Sequence, residues 1–157
     1  MRVLISACLL GVNCRYNGIP QTDEAVAELL TKEDVTLIPV CPEQLGGLPT
    51  PRTPSEQVGE RVLDEQGNDR TEAFVQGAKE ALRLAKLYGC EVAILKERSP
   101  SCGNGFVYDG TFSHTQIPGD GVCAGLLKKN GICVFGESRL EEFLAYVRRG
   151  QDGVSVL

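Results

Sequence analysis

Three cysteines of the chain lie where a ligand site is expected. Cys8, Cys41 and Cys102 each follow a short apolar run that predicts a core strand. In a parallel α/β sheet the carboxyl ends of the strands share one edge, and ligands bind at that edge. We therefore expect the three thiolates to converge in space, although they are far apart in the sequence.

Thiolates in this arrangement are soft ligands for a metal. The sequence has none of the closely spaced cysteine pairs, such as C-x-x-C, that are typical of zinc fingers and zinc ribbons. Three isolated thiolates favour an iron–sulfur cluster in which one iron has no protein ligand. That open iron would act as a Lewis acid with an affinity for sulfur. The spacing alone leaves a second interpretation open, which is three unrelated buried thiols.

The other four cysteines indicate a ligand role less clearly. Cys90 precedes a predicted strand, Cys133 lies within one and Cys123 lies within a predicted helix. All three are interpreted as buried small apolar side chains. Cys14 is ambiguous, because it lies in the first loop and near enough to reach the same edge. An odd total of seven cysteines also argues against a disulfide framework.

Polar residues beside the cysteines can supply proton chemistry. Glu43 follows Cys41 by two residues and can act as a general acid or base, or be a solvated loop carboxylate. Ser99 and Ser101 precede Cys102 and can hydrogen-bond to cluster sulfurs or to an oxyanion. Ordinary turn chemistry is the alternative interpretation of the two serines.

Four basic residues are predicted to lie along the same edge. Arg15, Arg52, Lys96 and Arg98 can together bind a phosphate, whereas any one of them alone is more typical of a surface salt bridge. The sole histidine, His114, falls in a predicted hairpin and is interpreted as structural or exposed.

The overall charge and hydropathy exclude some classes of partner. Acidic residues outnumber basic residues by 21 to 16, and the pI is about 5.0. The chain therefore has no bulk attraction for a nucleic acid polymer. No apolar run approaches the roughly 18–20 residues of a membrane span, so no membrane partner is expected. The start, MRVLISACLLGVNCR, favours a buried strand over a signal peptide, and we expect a cytoplasmic protein.

Short β-branched runs alternate with helical periodicity along the whole chain. This pattern predicts an α/β fold, a Rossmann-like three-layer single domain over 1–157 with a mostly parallel sheet. About four core strands are expected, at 3–6, 35–40, 92–96 and 132–135, with small hairpins at 61–69 and 106–112. Helices are expected at 23–31, 71–88, 121–129 and 139–148. Leu30 and Leu87 are predicted to face the core, 35–40 to be buried on both faces, and 42–54 to be irregular.

Three long motifs resemble those of a known family. They are SACLLGVNCRYNG (6–18), PVCPEQLGGLPTPR (39–52) and LKERSPSCG (95–103), which occur in this order. The sequence resembles the bacterial TudS-like thiouracil desulfurase family, much of which was long known only as a domain of unknown function. The resemblance covers almost the whole chain.

The resemblance implies an iron–sulfur enzyme. Its cofactor would be a 4Fe–4S cluster with three cysteine ligands and one open iron. Its substrate would be a small thiolated pyrimidine, either 4-thiouracil or 4-thiouridine monophosphate. The reaction would be a non-redox desulfuration that releases sulfide and needs no redox partner.

The resemblance also assigns roles to individual residues. The family's cluster ligands correspond to Cys8, Cys41 and Cys102. Its catalytic glutamate corresponds to Glu43, and its implicated serine corresponds to Ser101 or Ser99. Family members commonly lack a cysteine at the position of Cys14, so we expect no obligatory ligand role there, although this thiol can approach the fourth iron.

Two other functions are compatible with the same sequence. One is a non-catalytic carrier of sulfur or of an iron–sulfur cluster, which would use the same thiols. Glu43 distinguishes this alternative from an enzyme, because a carrier needs no carboxylate beside the cluster. The other is a nucleotide-binding module with structural cysteines, which would be colourless after iron reconstitution.

Overall fold

A four-stranded parallel sheet lies at the centre of the computed structural model, which describes residues 1–152. Its strands, in spatial order, are β2 (Thr36–Val40), β1 (Arg2–Ser6), β5 (Val92–Leu95) and β8 (Cys133–Gly136). Two antiparallel hairpins lie outside this sheet, β3 (Ser55–Val58) with β4 (Arg61–Asp64), and β6 (Phe106–Tyr108) with β7 (Gln116–Pro118). All pairings in the central sheet are parallel, so the carboxyl ends of its strands share one edge.

Helices cover both faces of the sheet. They are α1 (Glu24–Ala27), α2 (Pro42–Leu45), α3 (Thr71–Tyr88), α4 (Val122–Lys129) and α5 (Leu140–Gln151), with 3₁₀ turns at Ala7–Leu9, Glu28–Thr31 and Glu137–Arg139. Side chains alternate along β1, so that Leu4 packs with α3 and α4, whereas Val3 and Ile5 pack with α1 and α5. The expected three-layer α/β fold is therefore confirmed. The expected single domain stays a prediction, and its last five residues, 153–157, lie outside the described residues.

Local sequence signals account for the helix ends. Asp23 begins α1, since its carboxylate accepts a hydrogen bond from the Val26 N–H at 3.1 Å. Gly89 ends α3 in the left-handed conformation, at φ 66°, as its C-cap. Leu30 and Leu87 were wrongly expected to face the core: they are 63% and 72% exposed. The 3₁₀ turn that continues α1 rotates Leu30 outward, and Leu87 lies on the solvent side of α3.

Three further expectations are corrected by the packing. The strand at 35–40 is an edge strand with exposed Thr36 and Pro39, and it is not buried on both faces. The stretch at 42–54 contains a single helical turn, α2, that begins with Pro42. Cys133 is exposed rather than buried, because β8 is the other edge of the sheet.

The two hairpins also differ from their predicted form. The turn predicted at 66–68 lies at 64–67, and an isolated bridge pairs Leu63 with Asp69 across it. The strand partner of β4 is nevertheless β3, and their connection lies at Gly59 and Glu60. β6 pairs with β7 instead of with 111–112, so the connecting segment is a loop at 109–115. Among residues 1–152 no helix is both long enough and apolar enough to cross a membrane.

Two glycines bring α2 against α3 and so fix the segment that follows β2. A Cβ on Gly77 would lie 1.7 Å from the carbonyl oxygen of Pro42, and a Cβ on Gly46 would lie 1.9 Å from that of Ala73. Only glycine permits this backbone contact. The contact holds the short helix that begins immediately after Cys41.

Candidate active site

Four thiols line one cavity at the carboxyl edge of the central sheet. The cavity has a volume of about 700 Å³, within the range of small-molecule sites. Cys8, Cys41 and Cys102 follow β1, β2 and β5, which are neighbours in the sheet, and Cys14 joins them from the first loop. The structure thus brings together the three cysteines singled out in the sequence, together with the ambiguous fourth.

Cys14 is buried between two of the other thiols. Interaction with the Cys14 thiol lowers the pKa of Cys8 and lowers the pKa of Cys41 to about 7, and the Cys41 thiol lies 3.8 Å from the carbonyl oxygen of Cys14 as a hydrogen-bond donor. The same interaction, together with burial, raises the pKa of Cys14 well above its ordinary value, so this thiol stays protonated. Cys8 and Cys41 are thereby favoured as thiolates, the form that binds metals.

Cys102, like Cys14, is buried, whereas Cys8 and Cys41 are partly exposed. Burial raises the pKa of the Cys102 thiol well above its usual value, although hydrogen bonds with Ser6 and Ser101 oppose the shift. A buried thiol of this kind ionises when a metal cation replaces its proton. All seven cysteines are free thiols. Of the cysteines outside the cavity, Cys90 and Cys123 are buried as expected.

The amino end of α4 fixes the loop that carries Cys102. The N–H groups of Cys123 and Ala124 donate to the carbonyl oxygen of Ser101 at 2.8 and 3.1 Å. Ser99 tightens the same loop, since its hydroxyl oxygen accepts hydrogen bonds from the backbone N–H groups of Ser101 and Cys102 at 3.2 and 3.1 Å. The loop is therefore held rigidly although it has no regular structure.

A carboxylate and a hydroxyl meet beside Cys102. The Ser101 hydroxyl donates to Oε2 of Glu43 at 2.9 Å, and its oxygen lies 3.6 Å from the Cys102 sulfur. The other carboxylate oxygen, Oε1, accepts a hydrogen bond from Nε of Arg52 at 3.1 Å. Both side chains of this ion pair are largely buried, with 7% of Arg52 and 14% of Glu43 exposed. The carboxylate is thus oriented from both sides.

Arg52 has contacts that its anion-binding prediction did not include. Besides Glu43, its guanidinium donates to the carbonyl oxygens of Cys14 at 2.7 Å and Pro49 at 3.0 Å, and to the hydroxyl of Thr50 at 3.1 Å. These contacts favour a positioning role for Arg52 over the binding of a phosphate.

The other three cations have freer side chains. Arg15 donates to Gln21 at 2.6 Å, and Lys96 is paired with Glu137 while remaining 31% exposed. Arg98 is exposed, lines the cavity, and makes no side-chain hydrogen bond or ion pair with the residues that the structure describes. All three line the cavity.

The sequence interpretation missed one wall of the cavity. Tyr108, Phe112 and His114 line it, and the rings of Tyr108 and His114 meet edge to face at 5.8 Å. His114 was expected to be structural or exposed, and the structure places it both exposed and on the cavity. Tyr108 is the last residue of β6, and the loop between β6 and β7 carries Phe112 and His114. The predicted hairpin at 106–112 was too short to include this loop.

The thiols that line the cavity are spaced for a cluster rather than for a single metal ion. Within 1–152 no three His, Cys, Asp or Glu side chains converge closely enough to hold one metal ion. In an iron–sulfur cluster each cysteine binds a separate iron, so the thiols surround the group rather than meet at one point. Three thiols around an open cavity, two of them favoured as thiolates, fit such a cluster.

Comparison with known proteins places the chain among desulfurases. The family model for 2-thiouracil desulfurase matches residues 3–139. The uncharacterised protein YbbK of Bacillus subtilis (strain 168) is 41% identical over 152 residues, covering 90% of this chain and 99% of that protein. The solved structure of the [4Fe-4S]-dependent thiouracil desulfidase TudS superposes with a TM-score of 0.85 at 40% identity, covering 94% of this chain and 97% of that one.

The chain belongs to the 2-thiouracil desulfurase family. The resemblance read from the three motifs is confirmed, as are the α/β fold and the class of enzyme. The roles of individual cysteines, carboxylates and cations stay predictions.

Proposed function

We propose that this protein hydrolyses the carbon–sulfur bond of a thiolated pyrimidine, 4-thiouracil or 4-thiouridine monophosphate. Water enters, the ring carbon exchanges sulfur for oxygen, and sulfide leaves. The atoms and electrons balance without an oxidant or reductant. The hydrogen bond between Ser101 and Glu43 beside Cys102 carries this proposal, because it places a proton-transfer pair next to a thiol suited to a metal.

Cys8, Cys41 and Cys102 would hold a 4Fe–4S cluster. When bound there with one iron free of protein ligands, the cluster supplies a Lewis acid that draws electron density toward the substrate's sulfur. The structure supports this set because the three thiols follow adjacent strands and line the same cavity. Cys14 would support Cys8 and Cys41 as a hydrogen-bond donor rather than as an obligatory ligand.

Glu43 would act as the general base toward the attacking water. Its carboxylate lines the cavity, and Arg52 holds one of its oxygens. An oriented carboxylate with limited exposure can take a proton from water and deliver it to a ring nitrogen or to the departing sulfur. A carrier protein would have no use for this buried arrangement, which favours the enzyme.

Ser101 would orient the water through its hydroxyl oxygen, and by turning its one O–H away from Glu43 it would stabilise charge at the reacting carbon. Its hydroxyl is almost completely buried and lies between Glu43 and Cys102. Ser99 supports it, with the two hydroxyl oxygens 3.0 Å apart. Because only the O–H bond must rotate, the donor is available where charge develops with little movement of the protein.

Three of the cations that line the cavity would bind the anionic part of the substrate. Arg15, Lys96 and Arg98 line the same cavity as the thiols, so a monophosphate would lie beside these cations while the pyrimidine reaches the thiols. A guanidinium gives two parallel hydrogen bonds to phosphate oxygens. The small cavity also suits a single nucleotide rather than a nucleic acid polymer. We place the reaction in the cytoplasm, where free thiols persist.

Anaerobic reconstitution with iron and sulfide tests this function. The reconstituted protein is freed of excess sulfide and incubated with 4-thiouracil or 4-thiouridine monophosphate, and released sulfide and the oxygenated pyrimidine are measured. We expect equal amounts of both products, and none above background from a Cys41→Ser variant. A wild-type protein that binds iron but forms neither product would contradict the proposal.

A further inference from the structure

A buried carboxylate holds the loop that the sequence interpretation missed. Glu56 lies on β3, is only 8% exposed, and lines the cavity. Its Oε1 accepts hydrogen bonds from the backbone N–H groups of Gly110 at 3.0 Å and Phe112 at 3.2 Å. Within 1–152 it has no ion-pair partner, so these two N–H groups are what compensate its buried charge.

Gly110 allows the loop to approach β3 closely. A Cβ at this position would lie 2.6 Å from the carbonyl oxygen of Gln57 and 2.8 Å from a methyl group of Val58, and its φ is 93°. The loop is also closed on itself, because the N–H of Asp109 donates to the carbonyl oxygen of Thr115 at 2.9 Å. The segment 109–115 is therefore a fixed wall attached to β3.

Unusual backbone geometry is concentrated on this cavity. Within 1–152 three non-glycine residues have positive φ, namely Arg98 at 63°, Phe112 at 56° and His114 at 60°. All three line the cavity. Such conformations persist only where the surrounding contacts enforce them, and they cluster at functional sites. At Phe112 the contact that enforces the conformation is the Glu56 carboxylate.

We propose that Glu56 is a positioning residue that holds Phe112 and His114 as the substrate-binding wall of the cavity. The wall faces a planar pyrimidine with the aromatic ring of Phe112, and the Tyr108 ring supports His114 at the rim. This inference rests on the proposed function, because it names the part of the same site that binds the ring of the thiolated pyrimidine. Glu56 acts through the loop and takes no part in proton transfer.

Glu56→Ala in the reconstituted enzyme tests the proposal. Loss of the acceptor frees both N–H groups, and kcat/KM for 4-thiouridine monophosphate is expected to fall by roughly 10- to 100-fold, mainly through a higher KM. Glu56→Gln keeps an oxygen acceptor at the same place, so its KM is expected to be close to that of the wild type. Glu60→Ala, on the exposed turn of the same hairpin, is the matched control and leaves KM unchanged.

Two further measurements separate a positioning role from simple loss of folding. Iron content per chain reports whether each variant is intact. Phe112→Ala removes the aromatic face and leaves Glu56 in place, so it also raises KM. An unchanged KM in either Glu56→Ala or Phe112→Ala, in a protein with full iron content, would overturn the proposal.

A binding experiment keeps this inference separate from the proposed reaction. The chain has no tryptophan, so Phe112→Trp gives a single fluorescent reporter on the wall. Titration of this reconstituted variant with uridine monophosphate is expected to change its fluorescence, and adding Glu56→Ala is expected to weaken that binding. If the wild-type enzyme releases no sulfide, the proposed function fails, but this titration still tests whether segment 109–115 binds the pyrimidine. No fluorescence change, or a change unaffected by Glu56→Ala, would overturn the role of Glu56.

Discussion

The Ser101 hydroxyl donates a hydrogen bond to the Glu43 carboxylate at 2.9 Å, although 58 residues separate the two in the chain. Glu43 reaches this position from the helical turn after β2, and Ser101 reaches it from the loop after β5. β1 lies between these two strands and contributes Cys8 to the same cavity. The parallel sheet thus assembles a proton-transfer pair and a set of thiols from separate parts of the sequence.

Glu43→Gln is expected to lower turnover without loss of the cluster. The amide keeps the size of the side chain and its contact with Ser101, but it cannot accept a proton from water. A positioned acid–base group contributes roughly 10²–10⁴-fold to a rate, so kcat should fall by about that factor. Single-turnover sulfide release measures it, with iron content as the check. Glu33→Gln, on an exposed loop, serves as the control, and equal activity in both variants would contradict the assigned role.

Arg52→Ala is expected to destabilise the protein and to disorder Glu43. The substitution removes the ion-pair partner of a largely buried carboxylate and the shorter of two hydrogen bonds to the carbonyl oxygen of Cys14. We expect the free energy of unfolding to fall by about 3 kcal/mol. Anaerobic urea denaturation measures this difference. Arg61→Ala breaks the exposed pair with Asp69, where solvent screens the charges, and should cost far less than Arg52→Ala; equal losses would contradict the argument from burial.

Gly77→Ala is expected to reverse the usual effect of alanine in a helix. Alanine normally stabilises a helix interior by about 1 kcal/mol relative to glycine. A Cβ at Gly77 would strike the carbonyl oxygen of Pro42, so α2 must move, and we expect a net loss of about 1–3 kcal/mol with weaker retention of iron. Gly125→Ala in α4 meets only Asp120 Cβ at 3.8 Å and should be neutral or stabilising. Thermal unfolding that ranks the two variants in the opposite order would refute this interpretation.

Much of this arrangement could be predicted from the sequence, because it depends on local signals. The bounds of the 18-residue helix α3 follow from its apolar periodicity and from Gly89, which ends it. The cysteines after β1, β2 and β5 follow from strand positions and from the rule that parallel strands end at one edge. Glu43 and Ser101 lie within two residues of Cys41 and Cys102 in the sequence, so they were expected at the same edge.

What could not be predicted depends on contacts between distant segments. The burial of Arg52 follows from its carbonyl partners at Cys14 and Pro49, which no local pattern indicates. The loop at 109–115 depends on the pairing of β6 with β7. The three residues of β7 are all exposed, so no apolar alternation marks this strand in the sequence. Cys133 has an apolar sequence context and is exposed only because β8 is an edge strand.

Asp64 is expected to make stability depend on acid pH. Burial alone would raise the pKa of this carboxyl, but hydrogen bonds from Asn68, Arg70 and Gln66 outweigh it and hold the pKa below its usual value. Its contribution is therefore complete above the unfolded-state pKa of about 3.9 and is lost as the pH falls through the lower folded-state pKa. Asp64→Asn should be less stable than the wild type at pH 6. As the pH falls below about 4, the wild type should lose more stability than the variant.

Urea denaturation across this pH range decides the question. Asp152→Asn replaces an exposed carboxylate and should follow the wild-type curve. A curve for Asp64→Asn that runs parallel to the wild type throughout would show that Asp64 does not contribute this pH dependence.

The iron content of single cysteine variants tests most directly whether a cluster is held at the carboxyl edge of the sheet. After anaerobic reconstitution the wild type should hold about four irons per chain, as a [4Fe-4S] cluster requires. We expect Cys8→Ser, Cys41→Ser and Cys102→Ser to hold far less, and Cys14→Ser and Cys133→Ser to hold the wild-type amount. Full iron content in any of the first three variants, or loss of iron on substitution of the exposed Cys133, would contradict the assignment.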